Sequence, residues 1–278
     1  MIERFHKTSE QCSKITTENY STSFATAIKL LHKNIQADIH NIYGFVRFAD
    51  EIVDSFHDFD KEQLLQSYQS ETYKAIQEKI SLNPILHSFQ ITINKYQISL
   101  SLIDSFFQSM FYDLTKKQYD KNLYKEYIYG SAEVVGLMCL YIFCDGDTTM
   151  YNNLKKYAKS LGAAFQKVNF LRDMKADHEI LHRIYFPDCN FKTFSAEEKK
   201  QIEDDIQKDF DEACKGISLL PARARLGVYV AYKYYLSLFK KIKKLQPKSI
   251  LEKRIRIPDY TKAFILAKAG LRNHLNIL

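Results

Sequence analysis

Apolar residues recur at three-and-four spacing over most of the chain, and the breaks between periodic stretches are short, so the pattern predicts consecutive helices rather than strands. Helices are expected over about residues 21–31, 36–54, 61–79, 100–113, 121–144 and 150–177. Another starts at Pro84, where a missing N–H costs least. Ser195 with Glu198 three residues on reads as a capping box that opens a further helix. A helix from Pro221 to about Leu245 and a last one ending near Leu278, divided by RIRIPDY, complete the expectation.

Composition narrows this to an all-α fold. Only 8 Gly and 5 Pro punctuate 278 residues, with no Pro/Gly-rich linker, so a single helical domain over residues 1–278 is expected. The five cysteines (Cys12, Cys139, Cys144, Cys189, Cys214) are scattered and odd in number, which fits buried apolar positions in a reducing compartment and excludes a zinc-ligand spacing. The N-terminal stretch MIERFHKTSEQCSK lacks a signal-like apolar run, and no segment is expected to reach the roughly 18 apolar residues of a membrane span. The expected location is the cytoplasm.

The net charge of +7 gathers late in the chain, in Lys240, Lys241, Lys243, Lys244, Lys248, Lys253, Arg254 and Arg256. A solvated face is the plain reading of that run, nucleic acid is not expected, and peripheral contact with an anionic membrane surface is the third reading. KKIKK followed by an apolar final helix suits an interfacial element.

Two polar stripes interrupt otherwise apolar helices. Residues four apart share a helical face, so Tyr43, Arg47, Asp50 and Asp54 form one stripe. Gln166, Asn169, Asp173 and Asp177, spaced 3, 4 and 4, form the other. The segments FVRFADEIVD and FLRDMKAD echo each other, which suggests similar chemistry on two helices. An exposed acidic pair at this spacing is common, but these pairs sit in sequences that read as buried, where like charges need a neutralising cation. Magnesium suits hard oxygen ligands completed by substrate phosphates, and the absence of histidine from both stripes argues against zinc or iron. Arg47 and Arg172 add guanidinium forks matched to phosphate oxygens.

The runs YSTSFATAIKLL, IYGFVRFADEIVD, YIYGSAEVVGLM, FQKVNFLRDMKAD with HRIYFP, and PARARLGVYVAYKYYLSLFKKI with KRIRIP resemble, in order, the squalene and phytoene synthase family. The resemblance implies an all-α isoprenoid synthase fold around a central cavity, with three magnesium ions, or manganese in their place, bound with diphosphate. It places Asp50 and Asp54 in the first aspartate-rich motif and Asn169, Asp173 and Asp177 in the second. It places Ser21, Tyr43, Arg47, Gln166, Arg172, Tyr235 and Arg254 at diphosphate contacts, and Tyr129 at an aromatic position of the cavity beside the carbocation. The chain departs from the family pattern at Thr22, where a lysine is frequent, at Ala176, where an acid is frequent, and at Glu51 in place of a second aspartate.

The implied reaction joins two allylic isoprenoid diphosphates 1-1' through a cyclopropyl diphosphate. Proton loss then gives phytoene or dehydrosqualene, and hydride from NADPH gives squalene. Overall likeness to bacterial phytoene synthases favours two geranylgeranyl diphosphates. Farnesyl diphosphate as substrate, and a catalytically inactive assembly factor, remain alternatives. Phe24, Ile28 and His40 are expected in the cavity wall, with modest bulk at the last two leaving room for a longer chain.

Overall fold

Short polar side chains start most of the helices. The computed structural model describes residues 2–187, 189, 193–252 and 254–274. In chain order its helices are α1 (Ile2–Tyr20), α2 (Thr22–Ile28), α3 (Lys33–Asp54), α4 (Lys61–Glu78), α5 (Pro84–Tyr96), α6 (Leu100–Thr115) and α7 (Lys121–Ile128). After a π turn at Tyr129–Glu133 come α8 (Val134–Cys144), α9 (Thr148–Glu179), α10 (Ala196–Ile217), α11 (Ala222–Lys243), α12 (Pro247–Glu252) and α13 (Asp259–His274). Ser21, Asp60, Asn83, Asp120 and Asp147 each accept a first-turn backbone N–H. Ser195 and Glu198 close the expected capping box. Lys253 of the basic run and the expected helix end at Leu278 lie outside the described residues.

No strand occurs among the described residues, and one parallel bridge, Gln118 to Ile184, pins the loop after α9 to the α6–α7 connection. The all-α expectation holds. Helix α1 was not expected, and its composition explains why. Its buried face is Ser9, Ser13, Thr16 and Thr17, with no large apolar residue. Ser9, Thr16 and Thr17 return their hydroxyls to carbonyls four residues back, which removes the cost of burying them. Small side chains also let α1 lie close on α3, where a Cβ on Gly44 would meet the Ser13 hydroxyl at 2.9 Å.

The expected single helix over residues 121–144 is broken by the π turn. By length and composition, Lys121–Cys144 does reach the apolarity of a membrane span, contrary to the sequence expectation. In the fold it is a wall of the bundle, with Val134, Met138, Leu140 and Ile142 at most 1% exposed. Its backbone touches α9 directly. A Cβ on Gly136 would stand 2.9 Å from the Ala158 carbonyl oxygen, and one on Gly162 would stand 2.6 Å from that of Ala132.

The α3 side of the core is aromatic. Phe45 is fully buried, stacks on Phe89 at 3.8 Å between ring centroids, and touches Phe106 and Phe107. This stack fixes the face of α3 opposite its acidic stripe. Phe45→Ala should therefore lower stability by about 3–5 kcal/mol. Urea unfolding checks it, and a loss under about 1 kcal/mol would contradict the packing described.

Candidate active site

The two polar stripes converge on one cavity. Tyr43, Arg47, Asp50 and Asp54 of α3 and Gln166, Asn169, Arg172, Asp173 and Asp177 of α9 line a chamber of about 750 Å³, joined by Tyr235 of α11 and by Arg254. The chamber continues away from these groups to an apolar end at Leu31, Leu140, Phe143, Leu154 and Leu220. It is a long greasy pocket with a charged mouth.

Charge at the mouth is unevenly compensated. Asp173 receives Arg172 at 3.0 Å and Arg254 at 2.8 Å, and Asp54 receives Arg183 at 2.8 Å. Asp50 and Asp177 have the weaker compensation. Burial, then the neighbouring Asp54, pushes the Asp50 carboxyl up to about 8, and burial, then Asp173, pushes Asp177 to about 8. Arg47 pairs with Glu51 one turn on and lies 4.4 Å over the Tyr20 ring. Glu51, the departure in the first motif, is thereby spent on an arginine.

The donor set fits a hard divalent cation. Every candidate ligand is an oxygen, and the Asn169 Oδ1 atom is buried without a hydrogen-bond partner although Asn169 lines the cavity. Among the described residues, no three acidic, histidine or cysteine side chains form a ready metal cage. Any ion held between these carboxylates would complete its shell with oxygens from elsewhere, from water or from a bound anion.

Other sequence-predicted residues fall as follows. Ser21 caps α2, accepting the Phe24 N–H at 3.2 Å. Tyr43 and Tyr235 close around Phe24, at 6.0 and 5.7 Å between centroids, and Tyr235 stacks on Phe165 at 3.9 Å. Burial, opposed by Arg47 and aided less by Asp50, pushes the Tyr43 hydroxyl up to about 12, so it stays protonated at neutral pH. Thr22, the departure in the early motif, receives the Lys262 ammonium from α13 at 3.2 Å. Phe24 and Ile28 line the chamber as expected.

Two expectations are corrected. Tyr129 does not line the cavity; its ring faces Lys159, whose ammonium lies 5.0 Å from the centroid, and Tyr127 takes the wall position. His40 is not in the wall either. It is buried beyond it, and desolvation lowers its imidazole to about 4, so it is neutral. Ile39 and Ile42 face the chamber instead.

A buried network absent from the sequence reading supports the first motif. Asp113 of α6 accepts from the hydroxyls of Tyr127 at 2.7 Å and Tyr185 at 3.0 Å, and Arg183 bridges it to Asp54. Arg183 is reached because its own N–H donates to the Asp177 carbonyl at 2.8 Å, which carries the chain back across the mouth. The signal in the sequence is the acid that closes the apolar run LIDSFFQSMFYD, the second acid of that run after Asp104.

Removing one member of a buried pair leaves an uncompensated charge, so Arg183→Met should cost about 3–5 kcal/mol at neutral pH. The double variant with Asp113→Asn should recover part of that loss in urea unfolding; equal losses would mean that Asp113 is not the partner. Stability should also depend on pH. An unfolded aspartate titrates near 3.8, whereas Asp50 and Asp177 keep their protons to about 8. The folded state thus binds more protons between these values, and metal-free stability falls as pH rises through the window. Calorimetry across it should show a flatter profile for Asp50→Asn, and an unchanged slope would refute the assignment.

A family model described as squalene/phytoene synthase matches residues 17–261. The chain is 26% identical over 209 residues to the 4,4'-diapophytoene synthase of Staphylococcus haemolyticus, covering 72% of this chain and 68% of that one. It is 24% identical over 277 residues to the 15-cis-phytoene synthase of Pantoea ananas, covering 90% and 87%. Among solved structures a dehydrosqualene synthase shares the fold with a TM-score of 0.80 at 19% identity, covering 97% of this chain and 98% of that one. A match over most of the chain, on a fold whose two acidic helices meet at one cavity, means that it belongs to the squalene/phytoene synthase family, prenyltransferase-type enzymes that condense prenyl diphosphates head to head.

Proposed function

We propose that this chain joins two geranylgeranyl diphosphates to phytoene in carotenoid biosynthesis. The observation that carries the reading is the single chamber, acidic at its mouth and apolar along its length. Its wall follows α9 from Asp177 to Leu154, which is about 34 Å at 1.5 Å per residue. An isoprenoid unit of four bonds, each about 1.5 Å, advances about 5 Å, so a geranylgeranyl tail of about 20 Å fits within that depth.

Asp50, Asp54, Asn169, Asp173 and Asp177 are the residues that would hold magnesium with the substrate diphosphate. Bound there, the metal supplies positive charge that makes diphosphate a better leaving group. The chain's own part is binding, orientation and exclusion of water. Arg47, Arg172 and Arg254 offer guanidinium forks to the phosphate oxygens, and Arg172 and Arg254 exchange their hold on Asp173 for the incoming anion. Ser21, Tyr43, Gln166 and Tyr235 offer neutral polar groups beside it. The apolar wall keeps water from the allylic cation, and Tyr127 is one of several aromatic rings along it, its hydroxyl donating to Asp113.

Condensation of farnesyl diphosphate to dehydrosqualene, or to squalene with NADPH, is the second reading. The names of the Staphylococcus haemolyticus relative and of the dehydrosqualene synthase structure favour it.

Purified protein incubated with magnesium and either diphosphate, with and without NADPH, should yield a phytoene-mass product from geranylgeranyl diphosphate alone. Much faster turnover of farnesyl diphosphate would overturn the chain-length assignment. Asp50→Ala and Asp173→Ala should each slow turnover by about a thousandfold or more, since several kcal/mol of charge stabilisation are lost. Retained activity in both would remove these residues from the metal site.

A further inference from the structure

The apolar end of the chamber is assembled from separate elements. Leu31 comes from the turn between α2 and α3, Leu140 and Phe143 from α8, Leu154 from α9, and Leu220 from the turn between α10 and α11. Leu31 and Leu220 stand outside any helix, so no helical hydrogen-bond ladder fixes them. Close backbone approach seats the first. A Cβ on Gly227 of α11 would collide with the Leu31 side chain and stand 2.7 Å from the Ala27 carbonyl oxygen.

One residue ties these pieces together. Arg223, in the first turn of α11, donates through Nη2 to the Ile142 carbonyl and through Nη1 to the Asp145 carboxylate at 2.7 Å. Ile142 adjoins Phe143 in the last turn of α8, where carbonyls run out of helical donors and a cation meets the negative end of the helix dipole. The Arg223 carbonyl in turn accepts the N–H of His32, the neighbour of Leu31, at 2.8 Å. Arg225 completes the set by donating to the Leu220 carbonyl at 2.9 Å. Neither Arg223 nor Asp145 lines the chamber, and the Asp145 side chain is 63% exposed, so the clasp closes the floor from the solvent side.

We propose that Arg223 is a positioning residue for substrate chain length: by clasping the end of α8 to the start of α11 and to the α2–α3 turn, it holds the floor at the depth where the prenyl tail must stop. It touches no substrate and acts through Leu31, Phe143 and Leu220. The inference rests on the reading that the diphosphate sits at the charged mouth with its tail running down the chamber, but not on which diphosphate is preferred. A tie that served stability alone would leave the preference among tails unmoved.

The test is kcat/KM of the full chain for farnesyl, geranylgeranyl and geranylfarnesyl diphosphates, with the thermal unfolding midpoint measured alongside. Arg223→Ala should raise the ratio of the next longer tail to the tail that the unaltered protein prefers by about tenfold, the scale on which a hydrophobic pocket discriminates small changes of length. Phe143→Ala, which keeps the clasp and shortens the stop itself, should move the ratio in the same direction. If Arg223→Ala fails to fold, Asp145→Asn takes its place. Asparagine suits the left-handed backbone at that position (φ 54°), and loss of one guanidinium partner should give a smaller shift of the same sign. A lowered midpoint with unchanged ratios overturns the proposal, and so does a shift toward shorter tails. Preference of the unaltered protein for farnesyl diphosphate would overturn the phytoene reading alone, because each variant is compared with that protein's own preference.

Discussion

The constraint on which this fold depends is the placing of four carboxylates at one end of an apolar chamber. Bare, they would repel one another in a medium that screens poorly. The protein neutralises half of the problem with its own cations, Arg183 on Asp54 and Arg172 with Arg254 on Asp173. The other half, Asp50 and Asp177, is met by retained protons. A resting site so arranged is stable yet prepared to exchange protons and arginine contacts for a polyvalent ligand.

That arrangement also explains the buried network behind α3. Asp54 sits at the last residue of its helix, where a side chain is least constrained. Arg183, itself fixed by Asp113, Tyr185 and the Val53 carbonyl, determines where that carboxylate stands. The loop after α9 therefore belongs to the first acidic motif as much as to the second. One crossing of the chain couples both.

The two stripes were legible because polar residues at helical spacing stand out against apolar neighbours. The same logic fails for α1, whose contact face is hydroxyls that satisfy themselves, so no apolar period marks it. Tyr129 was placed in the cavity by the family resemblance, and helical spacing would not have corrected it. Counting back from Val135 at 100° per residue puts Ile128 and Tyr129 on the cavity arc and Tyr127 off it. The π turn inserts one residue and rotates the upstream chain by that step, bringing Tyr127 in. Long-range partners such as Arg183 and Asp113, 70 residues apart by the difference of their numbers, leave no local period at all.

Gly136 and Gly162 bring the backbones on the two sides of the α8–α9 seam into contact. The bore of the chamber along this seam is thus set by main chain, which a substitution cannot pare away and can widen only by parting the helices. Depth is set otherwise, by the side chains of Phe143, Leu154 and Leu220 at the closed end. A lineage that needs to accept a tail one isoprenoid unit longer or shorter has an easy route through the floor and a difficult one through the walls, so the fold behaves as a fixed-calibre tube with an adjustable stop.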